Sequence, residues 1–121
     1  MKRLIFATTL LLSILAFNSC EKDRFGYDNK VTFSAQGGKV DIEGDDAIYT
    51  LSIGDYNGNE KHSEGDVIMV ANYDWLTASA VKGSSEIQLI AEPNTTGKRR
   101  KLYVYGMVYN KTIDITVIQD K

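Results

Sequence analysis

The chain has 121 residues, a formal charge of −2, one histidine, one proline and one cysteine. This length allows a single core, the lone cysteine excludes a disulfide framework, and the mildly acidic balance gives no electrostatic reason to hold nucleic acid. Catalytic groups are scarce as well: His62 stands in Lys61-His62-Ser63-Glu64, and partners as close in sequence as Ser63 or Asp66 rarely achieve the geometry of a base and its orienter. The expectation is a protein without catalysis and without a cofactor.

Residues 1–19 read as a lipoprotein signal peptide. Lys2 and Arg3 form the positive start, an apolar run follows over 4–17, and Phe17-Asn18-Ser19-Cys20 closes it with small residues beside the cysteine. The run is too short for a spanning helix, which needs about 20 residues. Cleavage before Cys20 would leave its thiol to be acylated, and several acyl chains anchor far more firmly than one. Loss of Lys2 and Arg3 makes the mature chain two charges more negative. Residues 20–29 are expected to form a charged tether after the lipidated Cys20. Its Glu21-Lys22-Asp23-Arg24 resembles the short export signals of surface lipoproteins in the Bacteroidetes. The implied location is the outer membrane or cell surface.

From residue 30 to 121 the hydrophobic period is two, interrupted by Gly, Asn and Asp clusters, and no stretch keeps a period of 3.6 through three turns. Strands are expected over 31–34, 40–43, 48–53, 67–71, 76–81, 87–91, 102–107 and 112–119. Seven or eight short strands in this length point to an all-β, immunoglobulin-like β-sandwich. Pro93 falls between strands, where its missing N–H costs no ladder bond. Gly37-Gly38, Thr96-Gly97 and Tyr109-Asn110-Lys111 mark reversals, and residues 54–66 form one long polar connection. The basic run Lys98-Arg99-Arg100-Lys101 reads as a solvated hairpin end.

A set of motifs spread over residues 31–119 has the order and spacing of a known family. Phe33 followed by Gly37-Gly38, then Asp74-Trp75-Leu76, then Asn94-Thr95-Thr96-Gly97 ahead of Arg100, and finally Ile113, Ile115, Val117 and Gln119 resemble the BACON domain, the Bacteroidetes-associated carbohydrate-binding, often N-terminal module. The resemblance implies an immunoglobulin-like sandwich attached to glycan-processing enzymes or surface lipoproteins. It further implies a carbohydrate partner; the alternative is a structural spacer or assembly partner that docks another envelope protein, and in either case the lipid anchor at Cys20 is expected to hold the chain to the membrane.

Three groups of residues are candidates for a site. Alternation puts Leu102 and Val104 on one face of a strand and Tyr103, Tyr105 and Met107 on the other. The next strand separates Ile113, Ile115 and Val117 from Asp114, Thr116 and Ile118. With the aliphatic set inward, Tyr103 and Tyr105 are expected to be substantially exposed. Flanked by Lys101, Asp114 and Thr116, they would offer an apolar plane with hydroxyl partners to a glycan or a protein; cross-strand packing of aromatics explains them equally well. Trp75, the sole tryptophan, could stack on a sugar but in a sandwich is more often core. Asp55, Asn57, Asn59 and Asp66 approach the oxygen spacing of a calcium loop, but Glu60 stands where the turn needs Gly, so an Asn/Gly-rich β-connection is the stronger account and no metal is expected.

Overall fold

The computed structural model describes residues 26–108 and 111–121; the expected leader over 1–19, Cys20 and Tyr109-Asn110 lie outside the described residues. Among the described residues there are nine strands and no helix: β1 (Lys30–Phe33), β2 (Gly38–Glu43), β3 (Thr50–Gly54), β4 (Glu60–His62), β5 (Ile68–Tyr73), β6 (Leu76–Val81), β7 (Glu86–Ala91), β8 (Arg100–Val108) and β9 (Lys111–Gln119). One sheet has the order β1-β9-β8-β3-β4 and the other β2-β7-β6-β5. The strands cross between sheets from β1 to β2, from β2 to β3, from β4 to β5 and from β7 to β8, which gives an immunoglobulin-like sandwich with β1 lying parallel to β9.

The core follows from alternation. The larger sheet turns Val31, Phe33, Leu51, Ile53, Leu102, Val104, Ile113, Ile115 and Val117 inward. The smaller sheet answers with Ile42, Met69, Leu76, Ile87 and Leu89 and with four alanines, Ala71, Ala78, Ala80 and Ala91. Small residues on one inner face leave room for branched ones on the other, which is how two sheets interdigitate at close packing.

Two expectations need correction. The polar connection over 54–66 is largely a hairpin: β4 pairs antiparallel with β3, with Ser52 opposite His62 and Gly54 opposite Glu60. Beyond β4, Ser63 N–H donates to Leu51 O, and Glu64 exchanges backbone hydrogen bonds with Val70 of β5, so this segment closes the edge between the two sheets. The tether expected over 20–29 also overlaps the folded domain, because Tyr27 is 0 % exposed and belongs to the core. Its hydroxyl donates to Asp46 O at 2.5 Å, and its ring occupies the space where a Cβ on Gly44 would stand. An aromatic ring buried against a glycine is core by packing, whatever the charge of its neighbours in sequence.

Candidate functional site

The outer face of the larger sheet gathers the expected residues. Ladder register sets Tyr103 between Thr116 of β9 and Gly54 of β3, and Tyr105 between Asp114 and Ser52. Glu60 continues the first row beyond Gly54, and His62 the second beyond Ser52. Lys101, opposite Ile118, stands one pleat before Tyr103 on the same face. Leu102 and Val104 are buried on the other side, as the alternation requires.

The tyrosines lie on the expected face but are half-buried instead of substantially exposed. Their rings stack on one another, with centroids 6.5 Å apart and planes at 24°. Tyr105 also lies close over Gly54: a Cβ there would come within 3.1 Å of its Cε2. Glycine at this position therefore leaves room for the edge of the ring. Ser52, beside Tyr105 on the outer face, is only 5 % exposed, and its hydroxyl donates to Glu60 Oε2 at 2.6 Å. Burial holds the Tyr105 hydroxyl above its ordinary pKa, with Asp114, Glu60 and Tyr103 adding to the effect; burial likewise raises the Asp114 carboxyl. Ser52, Gly54 and Glu60 were absent from the sequence-based site. The available signal was Ser52, a polar residue alternating with Leu51 and Ile53, but its partner appears only once β4 is paired.

A groove of about 310 Å³ opens beside Tyr105, between Thr112 and the turn that joins β3 to β4. Asp55 braces that turn. Its Oδ1 accepts from the Asn57 and Asn59 N–H groups at 2.9 and 3.0 Å. Its Oδ2 accepts from Asn59 Nδ2 at 3.0 Å and from the Tyr73 hydroxyl at 2.7 Å. Both oxygens are thus committed to the fold, and Asp66 lies past β4, beyond the hairpin. Among the described residues no group of three His, Cys, Asp or Glu side chains could hold a metal ion. Tyr56, on the same turn, is 88 % exposed.

The Asp55 bonds set a pH dependence. Donation from the Asn59 side chain, then from Tyr73, lowers the Asp55 carboxyl from 3.8 to about 2. Because the folded-state value is depressed, its stabilisation is complete above the ordinary carboxylate value and is lost as pH falls from about 4 towards 2. The Tyr73 hydroxyl is raised above its ordinary 10.0, mainly by that same bond, so its contribution is present below pH 10 and is lost as pH rises through the shifted value. Asp55→Asn should flatten the acid limb of a melting-temperature profile between about pH 4 and 2. An acid limb unchanged by the substitution would show that Asp55 does not carry it.

At the opposite end of β8 from its hairpin with β9, Trp75 is 4 % exposed and the Arg100 guanidinium lies 4.8 Å over its ring. With both burial and a cation over one face, Trp75 offers no free plane to a sugar. Arg100 Nε donates to Gln119 Oε1 at 2.8 Å, and one terminal nitrogen reaches Pro93 O at 3.2 Å. Gln119, fully buried, donates to Ser34 O and Glu92 O at 3.0 and 2.8 Å. Asn94 donates to Lys98 O and Asp120 O, and its Oδ1 accepts from the Thr96 N–H and hydroxyl. These are the positions that carry the sequence motif, and their work is to tie together the loops at this end. The basic run is not a hairpin end: β7 and β8 belong to different sheets, so it finishes the crossover between them and opens β8, with Lys98, Arg99 and Lys101 exposed and Arg100 turned inward. His62 is exposed on β4, and among the described residues its ring is hydrogen-bonded to neither Ser63 nor Asp66.

No family model and no curated protein matches the sequence. Among solved structures, an NMR structure of a protein from Bacteroides thetaiotaomicron is similar, with a TM-score of 0.60 and 15 % identity, covering 83 % of this chain and 87 % of that one. At that identity the likeness carries the fold alone.

Proposed function

We propose that this is a non-catalytic, lipid-anchored module of the bacterial cell envelope, with a BACON-like sandwich that holds a saccharide on the outer face of its larger sheet. The observation that carries the reading is the stacked Tyr103–Tyr105 pair beside a groove edged by Glu60 and Thr112. A stacked, half-buried aromatic pair offers apolar surface to sugar C–H groups, and the surrounding carboxylates and hydroxyls supply partners for sugar hydroxyls. The lipoprotein-like leader over 1–19, with Cys20 after it, and the motif pattern support the same setting, at the outer membrane or cell surface.

The test is the double change Tyr103→Ala with Tyr105→Ala, followed by glycan-array binding and thermal melting. Binding should be lost while stability falls modestly, because each ring is half-buried on the outer face and its pairs with cross-strand neighbours contribute about 0.2–1 kcal/mol each. A collapse of stability, or glycan binding that survives, would count against the platform.

A second reading is favoured by one observation. Val67, Ile68, Val70 and Val81 are exposed together near the β5 edge, and Ile68 pairs directly with Val81. Such a patch suits a spacer or assembly role in which another envelope protein docks on the smaller sheet. Under that reading the tyrosine substitutions would leave partner binding intact.

A further inference from the structure

We propose that the saccharide taken by this face is uncharged or amino-bearing, and that acidic sugars are turned away. The proposal deepens the saccharide reading and rests on it. Of the residues lining the groove, the two charged ones, Asp55 and Glu60, are both carboxylates. A third, Asp114, faces Tyr105 from β9, with Thr112 one pleat away on the same side.

The three carboxylates are not equivalent. Asp55 is committed to the turn through three hydrogen bonds and to Tyr73 of β5 through a fourth. Glu60 accepts from Ser52 through Oε2, and among the described residues nothing donates to its other oxygen. Among the described residues nothing donates to Asp114 either, although its surroundings already displace part of its water. Acceptors with unused lone pairs next to an aromatic plane are completed by donors. A sugar hydroxyl or ammonium group can donate to them, and an ammonium is further attracted to the ring faces. A uronate, sialate or sulfate brings like charge without a donor in its acidic group, and so is disfavoured at this distance. The cations of the same face are placed elsewhere: Lys101 lies on the Arg100 side of Tyr103, and Lys30 lies two strands away from Tyr103, beyond Thr116. Neither lines the groove.

The experiment is an array of neutral, amino, uronate, sialylated and sulfated oligosaccharides probed with the purified full chain in detergent. Tyr105→Ala and the double variant Glu60→Gln with Asp114→Asn are probed alongside it. Gln and Asn keep shape and an acceptor oxygen, so the sandwich and the Ser52 bond are retained while the charge is removed. Hits should be confined to neutral and amino sugars. The charge-neutralised variant should bind them about tenfold more weakly, since charge-assisted hydrogen bonds are about twice as strong as neutral ones, with its melting temperature unchanged. Acidic glycans bound by the native chain and lost with Tyr105→Ala would overturn this inference while leaving the saccharide reading in place. Neutral hits insensitive to the double variant would overturn the role given to Glu60 and Asp114. The absence of any saccharide hit would overturn both readings.

Discussion

Trp75→Ala should lower the stability of the protein by about 3–5 kcal/mol, the range for deleting a large aromatic from a core. The ring is 4 % exposed and lies under the Arg100 guanidinium, so its removal opens a cavity and takes away the surface on which that guanidinium rests. The loss should spread to the bonds Arg100 makes with Gln119 and Pro93, because groups in one network do not respond independently. Urea denaturation of the two proteins would measure the change. Near-native stability accompanied by lost glycan binding would make Trp75 a contact residue instead.

The second large effect concerns a residue in the expected tether. Tyr27→Ala should also cost about 3–5 kcal/mol, since it empties a fully buried aromatic site. Tyr27→Phe keeps the ring and removes the hydroxyl that donates to Asp46 O, so it should cost about 0.5–1.5 kcal/mol. The ratio of the two effects separates packing from hydrogen bonding. Equal, negligible losses in denaturation would return residues 26–29 to the tether.

Tyr27 also marks a boundary of what the sequence makes legible. The eight strands with apolar alternation were readable from period alone, because an inner face must recur at every second residue. β4 was not, for Glu60-Lys61-His62 contains no apolar residue; its extended state comes from the partner strand and from the turn braced by Asp55. Tyr27 escaped for a different reason: it is in phase with Phe25, Val31 and Phe33, but Asp28 and Asn29 break the apolar alternation between them, and the ring's burial depends on the space left by Gly44.

The same contrast runs through the candidate site. The face occupied by Tyr103 and Tyr105 followed directly from Leu102 and Val104, whereas the close seat of Tyr105 depends on Gly54 of a neighbouring strand. Arg100, within a run of four basic residues, gave no local sign of turning inward. Its partners Trp75 and Gln119 lie 25 and 19 positions away and meet it only in the folded sandwich.

The parallel pairing of β1 with β9 governs how the domain bears load. Lys30 to Phe33 run alongside Thr116 to Gln119 in the same direction. Tension applied between the beginning of β1 and the end of β9 pulls these strands in opposite senses along their length. The hydrogen bonds of the ladder are then strained together in shear, instead of opening one after another as in a hairpin pulled from its open end. A chain fixed at its amino-terminal side and drawn from beyond β9 would therefore meet its resistance in this four-residue seam, a mechanical clamp at the edge of the sheet that carries the tyrosines.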